Sequence, residues 1–119
     1  MVIEMPYLRE ASVNSYKIVG KGGRHTNATK PSVIAWMCEL ADRIREHPDF
    51  TEYYGSPCSI YVKGFFWDDR APDVHNFFKV IADAIEPAIG VNDKYLKCID
   101  ENYETGHERQ KLVIRLETI

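Results

Sequence analysis

His75, Lys79 and Asp83 fall at i, i+4 and i+8 in the stretch DVHNFFKVIADAIEP, and Asn76 and Glu86 lie to the same side of them. A helix through this stretch makes one polar stripe of them, because residues three and four apart are neighbours on a helix surface. Asp73 stands at the head of the stripe, where a carboxylate can cap a first helical turn. Beyond the helix, the polar turn Gly90-Val91-Asn92-Asp93 carries a further carboxylate and is tight enough to fold the chain back. Asp73 and Asp93 meeting at a strand end would make an oxygen-rich site for a hard divalent ion. Such an ion can activate water near neutral pH, and a lysine ammonium beside it can stabilise developing negative charge. By itself the stripe reads first as a solvated helix face with a Lys79–Asp83 pair. Asp73 reads also as a plain cap, Asn76 as the residue that orients Asp73 or closes the first turn, and His75 as a ligand, a general base or a surface histidine.

The elements that must position these residues follow from periodicity. Residues 2–8 form a short β-rich run with Pro6 at an edge or strand end. Residues 9–30 show no periodicity and carry Gly20, Gly22 and Gly23, which predicts a long loop, an arrangement usually functional or mobile. Pro31 and Pro48 bracket a helix over 31–46 whose stripe is Val33, Trp36, Met37, Leu40, Ala41 and Ile44. Residues 58–67 alternate as a strand, with Gly64 at a bulge or close approach. A second helix runs from Asp73 to about Ala88 with Phe77, Phe78, Ile81, Ala84, Ile85 and Ala88 apolar, and strands at 95–102 and 110–118 join through Gly106. The order β-α-β-α-β-β implies an α+β fold, a four-stranded sheet with two helices on one face.

The chain has 119 residues, enough for one domain over 1–119 with a single core. Apolar residues at 45% and charged residues at 28% suit a globular domain, and no apolar run is long enough for a membrane span. The opening MVIEMPYLRE lacks the pattern of a secretory signal, and Cys38, Cys58 and Cys98 without a CxxC pair read as reduced core residues, so a cytoplasmic location is expected. Net charge is −3, which argues against nucleic-acid affinity over the whole surface. The charge is uneven, however: Lys17, Lys21, Arg24 and Lys30 lie in a segment from Ala11 to Cys38 with no acidic residue. A basic arm beside acidic clusters fits a metal-dependent enzyme on a polyanion as well as it fits a solvated loop. Trp36 and Trp67 read as core or sheet-face aromatics, although Trp67 could stack on a base, and Asp68 or Asp69 as turn residues that could add a carboxylate. His25 and His107 carry no mark of a ligand.

The stretch from Arg70 to Glu117 resembles the C-terminal half of RusA-type Holliday-junction resolvases, which carry Asp-x-Asp-Asn-x-x-Lys, then Asp-Ala-Leu, then an Asp-rich turn and a closing hairpin. The matching residues are Asp73, Asn76, Lys79, Asp83-Ala84-Ile85 and Asp93, and the first half agrees more loosely through Pro6 and the Ser12-Val13-Asn14 loop. The resemblance implies a RusA-like βαβαββ domain, a homodimer, and a magnesium-dependent endonuclease cutting four-way DNA junctions in recombination, repair or phage DNA processing, in a bacterial or phage-encoded protein. It implies metal ligation by Asp73 and Asp93 and an active-site role for Lys79, with Asn76 and Asp83 in support. Lys17, Lys21, Arg24, Lys30 and Asn14 become the expected DNA contacts. His75 stands where the family usually has its second aspartate, and Lys94 where a second aspartate is common in the turn. With His75 as a ligand, Mn²⁺ is expected to serve better than Mg²⁺, since manganese takes mixed nitrogen and oxygen donors more readily. Two further readings stand beside the nuclease: a branched-DNA-binding module of the same fold weakened in catalysis by His75, and a small oligomeric protein whose polar stripe is an interaction face.

Overall fold

The computed structural model describes residues 1–119, with the side chain of His25 outside the described part. Strands β1 (Val2–Pro6), β4 (Cys58–Phe65), β5 (Leu96–Glu104) and β6 (Lys111–Thr118) form one sheet in the order β1-β6-β4-β5. β6 runs antiparallel to both β1 and β4, whereas β4 and β5 are parallel. Helices α1 (Pro31–Glu46) and α3 (Phe78–Ile89) pack on each other over one face, and a short α2 (Phe50–Tyr53) follows α1. The fold is thus α+β with a four-stranded mixed sheet.

Alternation explains the strands. Ile3 and Met5 of β1, Ile60 and Val62 of β4, and Leu112, Ile114 and Leu116 of β6 are buried under the helices. Their neighbours Tyr61, Lys63, Val113 and Arg115 are only partly covered on the open face, where the Arg115 guanidinium lies 4.0 Å from the centre of the Tyr61 ring. Val33, Trp36, Leu40 and Ile44 of α1 meet Ile81, Ala84, Ile85 and Ala88 of α3 in the same core. The predicted helix over 31–46 therefore forms with the predicted inward stripe, Pro31 occupying its first position, where a missing N–H costs nothing.

Four expectations change. β5 and β6 follow one another through Gly106 but do not pair, because β4 lies between them. The parallel β4–β5 pair needs a long crossover, and the segment containing α3 supplies it. The segment read as a long loop, 9–30, holds a 3-10 turn at Arg9–Ala11 and a small antiparallel hairpin, β2 (Lys17–Val19) with β3 (His25–Thr29). Ile18 and Val19 of this hairpin are exposed, so no buried face leaves a periodic trace. The second helix begins as a 3-10 turn, Val74–Phe77, before α3 proper. The Asp73 backbone carbonyl accepts from the Asn76 N–H at 3.0 Å, but its side chain makes no capping bond. Finally, Trp67 and Cys38 are not core residues: Trp67 is 54% exposed and Cys38 lies at the surface. Trp36 is buried and donates its indole N–H to the Pro6 carbonyl at 2.8 Å.

Gly64 marks a close approach, as its position in the alternation suggests. A Cβ there would stand 2.5 Å from two ring carbons of Phe66 and 3.1 Å from the Tyr103 Cβ. The β4–β5 ladder also shifts register at this point, where Val62 and Gly64 face Asp100 and Tyr103, leaving an extra residue on β5. Among the described residues no helix is long and apolar enough to cross a membrane.

Candidate functional site

The turn Val74–Phe77 positions the head of the polar stripe. Val74 and Phe77 are both buried, so the turn is pinned to the core by two of its four residues. The pinning leaves His75 with a 58% exposed side chain. Its Nδ1 lies 3.7 Å from Oδ2 of Asp100, which reaches it from β5. In the parallel register Asp100 sits beside Val62, two positions after Cys98 beside Ile60, and so faces the helix side of the sheet. Its other oxygen, Oδ1, accepts the Asn102 N–H at 2.6 Å. Asn102 itself adopts φ 68 and accepts the Tyr103 N–H on its own side-chain oxygen at 2.9 Å. Asparagine tolerates that left-handed conformation better than most residues. The extra residue of the bulge is thereby absorbed, and such irregularities commonly re-aim a side chain at a site.

One turn along α3, Nζ of Lys79 bonds Oδ1 of Asp83 at 3.2 Å, the i, i+4 pair foreseen from spacing. That bond holds the lysine pKa above its ordinary value, and the nearby Tyr16 and Asp93 act in the same direction. Lys79 is therefore a firmly protonated ammonium with carboxylate neighbours. Tyr16 belongs to the loop that carries Asn14. This loop is tied to the turn by a 2.7 Å bond from the Val13 N–H to the Asn76 carbonyl. The Tyr16 carbonyl accepts the Lys30 N–H at 2.8 Å, and Lys17 pairs with Thr29, so Lys17 and Lys30 lie at the root of the hairpin. Lys21 and Arg24 stand exposed at its tip. None of these four cations is in an ion pair among the described residues.

The expected ligands Asp73, His75 and Asp93 do not form a group arranged to hold a metal among the described residues. Asp73 and His75 share the turn before α3, whereas Asp93 follows Gly90 beyond the other end of that helix. Twelve residues of α-helix are about 18 Å long. The chain does turn back after Gly90, where φ is 69° and Val91 is buried, but this brings Asn92 beside Asp83 and Glu86. Asp93 accordingly acts on Lys79. Among the described residues no group of three or more His, Cys, Asp or Glu side chains is arranged to hold a metal. Magnesium needs no such cage, because it keeps several waters and takes one or two carboxylates together with substrate phosphates. His75 and Asp100 face each other with a nitrogen and an oxygen donor, and Asp73 stands exposed in the same turn as His75. Asp68 does not add to them: its carboxylate holds the Arg70 guanidinium at 2.7 Å, which lowers its pKa.

Asp100 is the residue the sequence reading missed. The signal was present, since Leu96, Cys98 and Asp100 share one phase of the strand and a charge breaks the apolar side of that alternation. Burial separates Cys98 from the site chemically as well, pushing its thiol up to about 11. No protein-family profile matches the chain, and no curated protein matches it. Among solved structures the chain is similar to the periplasmic domain of Helicobacter pylori MotB, with a TM-score of 0.45 and 15% identity over 98% of this chain and 79% of that one.

Proposed function

We propose that this chain is a divalent-metal-dependent endodeoxyribonuclease of the RusA kind, acting on four-way or otherwise branched DNA as a homodimer. The observation that carries the reading is the assembly around Val74–Phe77: His75 with Asp100 facing it, Lys79 paired with Asp83 one turn on, and the loop that leads into the basic hairpin bonded to the same turn through Val13. Acidic residues, a protonated lysine and nearby cations outside any ion pair among the described residues are the parts that phosphodiester hydrolysis on DNA requires.

In this reading Asp73 and His75 would hold a magnesium or manganese ion, which when bound would supply a polarised water and offset phosphate charge. Lys79 keeps its proton and presents an ammonium to the scissile phosphate, while Asp83 restrains its side chain. Asp93 adds to the field that keeps Lys79 charged. Lys17, Lys21, Arg24 and Lys30 grip the backbone of the arms, with Asn14 in the loop between them and the turn.

The test is cleavage of a labelled four-way junction against a linear duplex of the same sequence, in Mg²⁺ and in Mn²⁺. Selective cutting of the junction is expected, faster in Mn²⁺, with His75→Asp restoring activity in Mg²⁺. Selective binding with no cutting in either metal would favour the DNA-binding module, and equal affinity for junction and duplex would remove junction recognition. Replacing Lys17, Lys21, Arg24 or Lys30 singly by Ala should each reduce the slope of log K against log salt by about one unit. A slope unchanged in all four variants would take the hairpin out of the interface.

A further inference from the structure

We infer that His75 and Asp100 are paired ligands of a divalent cation, with Nδ1 of the histidine and Oδ2 of the aspartate as donor atoms. Their separation of 3.7 Å is too long for a hydrogen bond. Two donors in adjacent positions around an ion at about 2.1 Å stand about 3.0 Å apart, so this contact, a long ion pair when the imidazole is protonated, must close by about 0.7 Å to share an ion. Both side chains are accessible, at 58% and 39% exposure, and side-chain rotation within their wells closes the difference. An ion can therefore enter with most of its water, and waters, a phosphate oxygen and, in the nuclease reading, Asp73 complete its shell.

The aspartate is prepared for this task. Its Oδ1 is occupied by the Asn102 N–H, so Oδ2 is the oxygen left to bind, and the carboxylate plane is held by the bulge. Holding it there places a non-glycine residue, Asn102, at φ 68, a left-handed conformation that most side chains avoid. β5 is an edge strand, which lets a charge on its helix-facing side clear the core beside the 3-10 turn. A ligand pair of one imidazole nitrogen and one carboxylate oxygen favours Mn²⁺ over Mg²⁺. In the nuclease reading, on which the use of the ion rests, Asp100 supplies from β5 the carboxylate that position 75 lacks.

The test is Mn²⁺ binding to the DNA-free protein, followed by the electron paramagnetic resonance signal of free Mn²⁺. Asp100→Asn and His75→Gln are each expected to weaken binding at least about tenfold, the double variant hardly more than either, and Asp93→Asn less than about threefold. Wild-type protein that takes up no Mn²⁺, or an Asp100→Asn variant that binds as wild type does, overturns the site. Should Asp100→Asn fail to fold, substoichiometric Mn²⁺ added to wild-type protein must broaden the NMR signals of His75 and Asp100 before those of Asp93. Broadening at Asp93 first overturns it equally. Mn²⁺ binding through this pair without junction cleavage leaves the ion site standing and sinks the nuclease reading. Cleavage that survives in Asp100→Asn with Mn²⁺ binding unchanged does the reverse.

Discussion

Asp73→Asn is expected to cut a four-way junction at least about 100-fold more slowly than the wild-type chain while binding it within about twofold. The structure makes this a clean experiment. The Asp73 side chain is exposed and makes no capping hydrogen bond, so neutral asparagine, of nearly the same shape, changes the charge without disturbing the turn. Its thermal midpoint should therefore match that of wild type. The DNA phosphates would still be held by Lys17, Lys21, Arg24 and Lys30, which lie on the hairpin. Lys79→Ala should show the same separation of turnover from binding. The Lys79–Asp83 pair is solvent-exposed, with half the lysine side chain in water, and exposed pairs of this kind contribute little to stability. Unchanged cleavage in either variant, or loss of folding in both, would withdraw the assignment of these residues.

Phe77→Ala is expected to lower the free energy of unfolding by about 3–5 kcal/mol, the usual cost of removing a fully buried phenyl ring. Phe77 is 0% exposed, and its ring meets Tyr7 edge-on with centroids 5.9 Å apart. A loss of that size is a large part of the stability of a domain this small. The ring also sits two residues after His75 and two before Lys79, so the cavity would loosen the turn that presents both. Urea denaturation measures the first effect. The second appears as weaker Mn²⁺ binding and slower cleavage under conditions where the variant is still folded. Phe77→Leu, which fills most of the volume, should recover the larger part of both. A loss below about 1 kcal/mol for Phe77→Ala would show that the turn is anchored elsewhere.

The sequence by itself determined the elements whose burial is periodic. Helix α1 over Pro31–Glu46, the alternation of β4 and β6, the apolar face of α3 and the α+β class were all legible, because each strand or helix must show its apolar side to one core. The Lys79–Asp83 pair was legible for the same local reason, since i, i+4 contacts follow from helix geometry alone. Tertiary structure decided what each face meets. The parallel β4–β5 pairing set β4 between β5 and β6, and it set Asp100 opposite His75 across 25 residues of chain, a contact no local period records. It also decided where the chain goes after Gly90: Asp93 comes close enough to act on Lys79, yet Asp73, His75 and Asp93 form no metal-holding group among the described residues. The hairpin of β2 and β3 left no trace in the pattern, since strands with no buried face carry no hydrophobic alternation to read.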